Sequence, residues 1–347
     1  MKVGAASILA ILLVIPWTTG CESLDGRNRV RKGNRLFKDT DFVGASAEYQ
    51  KALTEVDDPI IHYNLGLALQ KLLKPGSDKT VVLDQVGSLS CTMTPKTTTM
   101  KMSACLKEGD HHFAECDAKN VCPASYTCTP VELCQVGSGD LADMITSNFG
   151  IWLAKNPDDA ETRALMTQVW LDTNQYPKAT EYWEGLLKAK PNDPDIMGAL
   201  AGISLKAGDW RKSIDWYLKV ADATKDESAK INAYQFIGNV GWAKLNSKTL
   251  SPTDAMELAD RAIGALQKAA ALSPQNPKFV GLQASIYNFR SMIQGASWAS
   301  AIERASAQDL QHKSRVLTDE AKKAQGQAPT APPPSPGSGS ATTKTGG

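Results

Sequence analysis

The stretch ALMTQVWLDTNQYPKATEYWEGLLKAKPNDPDIMGALAGISLKAGDWRKSIDWYLKVA, residues 164–221, decides the fold because it repeats itself. Positions 34 residues apart carry matching residue types: Leu171 and Leu205, Ala179 and Ser213, Trp183 and Tyr217. One helical hairpin of this length cannot bury its apolar face alone, so neighbouring hairpins have to stack on one another. The period therefore predicts an array of paired helices in which each pair packs against the next.

The residue pattern within the period resembles the tetratricopeptide repeat (TPR). In that family, helix A carries a small residue where helix B crosses it, helix B carries Ala and an aromatic residue, and Pro follows helix B. The first unit fits with Gly33 on helix A and Ala45, Tyr49 and Ala52 on helix B. The resemblance implies an all-α fold, a TPR superhelical solenoid, with the main solenoid over residues 140–323.

Two units depart from the template. The second begins at Pro59 and has Gly66 at the small helix A position, but a fitting helix B with Phe149 appears only after a long gap. We therefore predict that residues 77–139 are inserted within one repeat. In the fifth unit, helix B with Ala262 comes about a dozen residues late, which predicts a second, smaller insertion near Pro252.

The long insertion is rich in cysteine. It contains Cys91, Cys105, Cys116, Cys122, Cys128 and Cys134. So few of its residues are apolar that it needs another source of stability, and three disulfides would supply one. Six cysteines allow fifteen pairings, and the sequence does not choose among them. A zinc site completed by His111 and His112 is the alternative, but these cysteines lack the close pairs of zinc motifs. The insertion is either a recognition module or a stapled loop without a specific partner.

The N-terminus has the layout of an export signal. Lys2 precedes an apolar run that ends at Pro16, and Thr19 and Gly20 stand directly before Cys21. This resembles the lipobox of bacterial lipoproteins, which implies a signal peptide over residues 1–20 and a lipid on Cys21. Cys21 is also the odd cysteine of seven, and lipidation would use it. The lipidated N-terminus and the first TPR helices then occupy residues 21–76, with Glu22 to Gly26 preceding the first helix.

Glu22 after the cysteine implies, by the same resemblance, an outer-membrane protein that faces the periplasm, although a surface-exposed orientation stays open. Residues 324–347 are rich in Pro, Gly, Ser and Thr, which predicts a disordered C-terminal tail. The net charge of +1 provides no field that would attract nucleic acid.

Motifs that carry catalysis are missing. The sequence has four histidines and contains no nucleophile elbow, phosphate-binding loop or HExxH motif, so we predict no catalytic residue, no metal and no cofactor. The six tryptophans from Trp170 to Trp298 fall mostly at core spacing, which favours packing over a carbohydrate platform.

The TPR resemblance places partner binding in a groove lined by helix A. The residues it maps onto are Glu161, Gln168, Asp172, Asp195, Gly202, Lys206, Asn239 and Trp242. The sequence thus predicts a membrane-anchored scaffold that binds peptides or helices of other envelope proteins and helps to assemble a secretion, pilus or motility complex. Two alternatives stay open: a module that binds peptidoglycan or another glycan, and an envelope enzyme with an unrecognised site.

Overall fold

A computed structural model describes residues 19–73, 81–84, 98–106, 114–116 and 122–324. The chain divides into two compact units, residues 1–179 and residues 180–347, and each is described by itself. Helices dominate the described part. Among these helices, none combines the length and the apolar character that a membrane span requires.

In the described part of the chain, the first unit contains five complete helices and the start of a sixth. These are α1 (Thr19–Lys38), α2 (Phe42–Leu53), α3 (Pro59–Leu72), α4 (Ser138–Lys155), α5 (Ala160–Asp172) and α6 (Tyr176–Ala189), which continues into the second unit. α1 packs against α2, and α3 packs against α4. These two pairs are the predicted helix A and helix B hairpins of the first and second repeats.

The second unit contains six further helices. They are α7 (Pro194–Lys206), α8 (Trp210–Ala223), α9 (Glu227–Asn246), α10 (Pro252–Leu272), α11 (Pro277–Ile293) and α12 (Trp298–Ala324). They pack as α7 with α8, α9 with α10 and α11 with α12. α7 begins 34 residues after α5, at 194 against 160, and α8 begins 34 residues after α6, at 210 against 176. The repeat fold read from the sequence is confirmed for the described helices.

Short polar sequences set the helix starts. Asp58, Asp193, Ser251 and Asn276 each accept a hydrogen bond from a backbone N–H of the first turn, and proline follows each of them at the first helical position. The cap satisfies an N–H that has no partner within the helix, and proline has no N–H to satisfy. Helix-starting signals therefore recur at each of these hairpins.

A glycine on helix A marks each close helix crossing in the first unit. A Cβ atom on Gly33 would lie 2.7 Å from Cε1 of Tyr49 on α2, and a Cβ atom on Gly66 would lie 2.6 Å from Cε1 of Phe149 on α4. Gly66 and Phe149 thus occupy the same structural positions as Gly33 and Tyr49, although 83 residues separate them in sequence against 16 (149 − 66 and 49 − 33). α3 and α4 therefore form one repeat, which the insertion interrupts.

The inserted segment contains a β-sheet that the sequence did not predict. Its strands are β1 (Val81–Asp84), β2 (Thr98–Leu106), β3 (Ala114–Glu115) and β4 (Thr127–Val136), in the antiparallel order β1-β4-β2-β3. β2 and β4 pair along nine residues, from Thr98 opposite Gln135 to Leu106 opposite Thr127. α3 ends at Leu72 and α4 begins at Ser138, so the sheet lies between these two helices in sequence.

The structure corrects two expectations about the repeats. The extra residues of the fifth unit do not form an inserted loop. They lengthen α9 to 20 residues and α10 to 21, against 13 and 14 in the preceding hairpin, and Ser251 caps α10 after a short turn. The first helix also begins earlier than expected. α1 starts at Thr19, so Cys21 lies within the helix.

Several sequence predictions fall outside the described residues. They concern most of the signal peptide (residues 1–18), Cys91, the histidine pair His111 and His112, and the tail beyond Ala324.

Candidate functional site

The groove residues predicted in the first unit lie on α5. Glu161 and Gln168 are exposed and Asp172 is half-buried, at spacings of seven and four residues that place them along one face of the helix. The Gln168 side-chain amide donates a hydrogen bond of 2.6 Å to the Asp172 carboxylate. This face of α5 is therefore polar and open to solvent.

The groove residues predicted in the second unit lie on α7 and α9. Asp195, Lys206, Asn239 and Trp242 are all exposed, and the exposed fraction of Trp242 is 43%. A Cβ atom on Gly202 would have no other heavy atom within 4 Å, so the α7 backbone is bare there. The structure brings Lys206 and Asn239 together at one groove.

That groove has an aromatic floor. We call it the Tyr217 groove; it has a volume of about 720 Å³ and is lined by Leu205, Lys206, Tyr217, Phe236, Asn239, Val240, Ala243, Lys244, Ser247 and Thr249. The rings of Tyr217 and Phe236 are stacked, with centroids 5.2 Å apart and planes 12° from parallel. Phe236 still exposes half of its surface. An apolar surface of this kind is therefore available to a bound side chain.

The charges at the Tyr217 groove have one sign. Lys206 and Lys244 line it, and no carboxylate is among its described lining residues. Burial raises the pKa of the Tyr217 hydroxyl above its ordinary value, so the phenol stays neutral at physiological pH. The groove thus combines an uncharged aromatic floor with positive charge, which suits an occupant with apolar and acidic side chains.

Sequence reasoning missed the floor of this groove. Tyr217 was identified only as the packing aromatic of helix B, and Phe236 was not singled out. Helical spacing could have identified Phe236, since it precedes Asn239 by three residues and therefore lies on the same face of α9. Among the tryptophans, most of which were predicted to pack, Trp298 does not, since its exposed fraction is 88%.

Two disulfides of the insertion are present in the structure. They join Cys105 to Cys122 and Cys116 to Cys128, with Cα–Cα distances of 5.5 Å and 6.0 Å. The expectation of a disulfide-stapled insertion is confirmed for these four cysteines. Because the helices on either side, α3 and α4, pack together directly, the sheet can be held by its own bonds without disturbing the repeat.

His62 lies between the two helices of the interrupted repeat. Its Nδ1 lies 2.7 Å from Oδ1 of Asn148, and its Nε2 lies 2.9 Å from Oδ1 of Asp57. Asn148 belongs to α4 and also donates to the backbone oxygen of Met144. His62 therefore links α3 to α4 across the insertion and has a structural role.

Comparison with known proteins agrees with the repeat. A family described as tetratricopeptide repeat matches residues 171–228, and this family describes a structural repeat, not a catalytic domain. No curated protein sequence gives a significant match.

Solved structures resemble the chain more loosely. The crystal structure of MamA protein has 18% sequence identity and a TM-score of 0.35, and the match covers 56% of this chain and 90% of that one. A TPR repeats protein from Bacteroides fragilis NCTC 9343 has 15% identity and a TM-score of 0.39, and the match covers 76% of this chain and 97% of that one. Both TM-scores are too low to carry an inference about this chain.

Proposed function

We propose that the protein is a scaffold that binds segments of other proteins in the Tyr217 groove. The observation that carries this proposal is the exposed aromatic floor formed by Tyr217 and Phe236. A half-exposed aromatic ring in a groove of this size gains contact area when an apolar side chain covers it, and anchors of this kind dominate binding at protein interfaces. A scaffold also fits the matched family, whose repeats serve interactions between proteins.

The charges define the partner segment. Lys206 and Lys244 favour a peptide or helix that places carboxylates beside an apolar residue. Each lysine is near solvent, so each contributes modestly to affinity and more strongly to the choice between acidic and basic segments. The expected partner is therefore an acidic amphipathic segment.

We also propose that a lipid on Cys21 anchors this scaffold in the outer membrane, where it helps to assemble or hold an envelope machine such as a secretion, pilus or motility complex. The layout of residues 1–21 and the odd cysteine support export and lipidation. The two disulfides also support an oxidising compartment, since disulfides are rare in the bacterial cytosol.

A binding titration tests the groove. The probe is a fluorescent amphipathic helical peptide that has leucine on one face and glutamate on the other. Its charge-reversed control has lysine in place of glutamate. We expect the acidic probe to bind more tightly, and Lys244→Glu to weaken its binding about two- to fivefold. Lys188→Glu, an exposed α6 position away from the groove, serves as the matched control and should leave binding unchanged.

Two outcomes would contradict the proposed partner class. One is equal binding of the acidic and basic probes, and the other is unchanged binding after Phe236→Ala, which removes half of the aromatic floor. Soluble peptidoglycan fragments tested in the same titration separate this proposal from the glycan alternative. If the fragments bind and compete through Phe236, the glycan alternative replaces the adaptor function.

A further inference from the structure

Four cysteines converge at one end of the inserted sheet. Cys105 on β2 and Cys128 on β4 are directly opposite each other in the antiparallel register. The backbone N–H of Cys116 donates to the Ser103 oxygen on β2 at 3.1 Å, which holds Cys116 beside the same strand. Cys122 joins them through its bond to Cys105. The sheet therefore brings together four cysteines that are 11, 6 and 6 residues apart in sequence.

The sulfur atoms of this four-cysteine cluster are close even where they are not bonded. The Cys116 sulfur lies 3.9 Å from that of Cys105 and 3.9 Å from that of Cys122. The sulfurs of these three cysteines all lie within 4.8 Å of one another. Cys128 is bonded to Cys116, although its sulfur is not part of this 4.8 Å group. Cys105 is buried, and the other three are partly exposed.

Two of these separations match those of a metal tetrathiolate. Zinc binds thiolate sulfur at about 2.3 Å in a tetrahedron, which places the sulfurs about 3.8 Å apart. The two non-bonded separations of 3.9 Å already have this value. The two bonded pairs would have to move apart, and the Cys128 side chain would have to turn towards Cys105 and Cys122. The Cα–Cα distances of 5.5 Å and 6.0 Å leave room for such a rotation of the side chains.

We propose that Cys105, Cys116, Cys122 and Cys128 bind one zinc ion when both disulfides are reduced. Reduction by a dithiol transfers four electrons and four protons to the cluster and yields four thiols, while two dithiol molecules become disulfides. Zinc then replaces the four thiol protons, which pass to solvent. The cluster thus has an oxidised form that two disulfides crosslink and a reduced form that a metal crosslinks.

The proposal depends on tertiary structure and not on sequence spacing. Zinc motifs usually place two cysteines two to four residues apart on one turn, and by that standard this segment is a poor candidate. The antiparallel pairing of β2 with β4 brings distant cysteines together, because it places Cys105 opposite Cys128. Four soft thiolates favour zinc over magnesium or calcium, which prefer oxygen ligands. The inference is independent of partner binding at the Tyr217 groove.

Cobalt substitution tests the site in the full chain. The protein is reduced with a phosphine under nitrogen and titrated with Co²⁺, whose tetrahedral thiolate complexes absorb strongly in the visible range. We expect saturation at one cobalt per chain, loss of the absorption when zinc displaces cobalt, and no such absorption from the unreduced protein. Cys116→Ser should abolish the tetrathiolate spectrum, while circular dichroism confirms that the helices remain folded.

Two further measurements keep the assignment specific. The double variant Cys91→Ser/Cys134→Ser retains all four proposed ligands and should bind cobalt as the parent chain does. In a separate alkylation experiment on the reduced chain, zinc should protect these four cysteines from a thiol reagent, as counted by mass spectrometry. Absence of the tetrahedral spectrum, unchanged binding by Cys116→Ser, lost binding by the double variant, or alkylation unaffected by zinc would each overturn the proposal.

Discussion

Replacing Gly66 with alanine tests the helix pairing that defines the interrupted repeat. The added Cβ atom would lie 2.6 Å from Cε1 and 2.8 Å from Cδ1 of Phe149, whose ring is fully buried between α3 and α4. These distances are shorter than any ordinary carbon contact, so the ring or a helix has to shift. A buried aromatic ring cannot move without disturbing its other contacts.

Two opposing effects determine the size of the change. Overpacking a close-packed core costs about 1–3 kcal/mol, whereas alanine in a helix interior is favoured over glycine by about 0.5–1 kcal/mol. At the middle of each range, the net effect is a loss of about 1 kcal/mol in the free energy of unfolding. With a mid-range urea dependence of about 2 kcal/mol per molar, the unfolding midpoint should fall by about 0.5 M.

Urea unfolding followed by circular dichroism measures the change, and a second glycine provides the control. Gly150 lies on α4, and a Cβ atom there would meet no other heavy atom within 4 Å. Gly150→Ala should therefore raise stability by about 0.5–1 kcal/mol. In a Phe149→Leu background, Gly66→Ala should cost less than in the parent chain, because the clashing ring atoms are gone. A Gly66→Ala chain as stable as the parent would refute this packing.

Three other predictions concern a helix cap, an ion pair and the anchor. Hydrogen bonds from the backbone N–H of Thr162 and from the Trp152 indole lower the pKa of Asp159 from 3.8 to about 2. The ionised Asp159 carboxylate therefore stabilises the fold fully above pH 3.8, and this contribution should disappear as the pH falls towards 2. Asp159→Ala should accordingly cost about 1 kcal/mol at neutral pH and have little effect on stability in strong acid. Arg211, which pairs with Glu257 across α8 and α10, is exposed, so Arg211→Ala should lower the thermal unfolding midpoint only slightly, and by less at high salt. Cys21→Ser should move the folded protein from the membrane fraction to the soluble fraction, and a variant that stays with the membrane would exclude the lipid anchor.

The sequence predicted the helical part of the fold because the signals there are local and repeated. Helix caps, a proline after the cap, and a small residue opposite an aromatic residue all recur within one hairpin. The pairing of Gly66 with Phe149 could be read across the insertion because each helix kept its own pattern. The lengths of α9 and α10 could not be predicted from the sequence, since a late helix B signal fits a longer helix as well as an inserted loop.

The insertion and the groove show where sequence reasoning stops. The register of β2 and β4 places Cys105 opposite Cys128, yet these residues bond to Cys122 and Cys116, a pairing that sequence spacing could not select. The Tyr217 groove likewise depends on two repeats meeting, because Tyr217 belongs to α8 and Phe236 to α9. Helix periodicity indicates which residues share a face of one helix, but not which residue of the next helix lies opposite.

Photo-crosslinking in living cells tests the central claim most directly. A photoreactive amino acid replaces Asn239 at the Tyr217 groove and, in a control chain, Gln267, an exposed residue on α10 that does not line the groove. We predict a discrete crosslinked partner at residue 239 that is lost with Phe236→Ala and does not form at residue 267. Crosslinks at residue 267 alone, or a crosslink at residue 239 that Phe236→Ala leaves intact, would contradict binding in this groove.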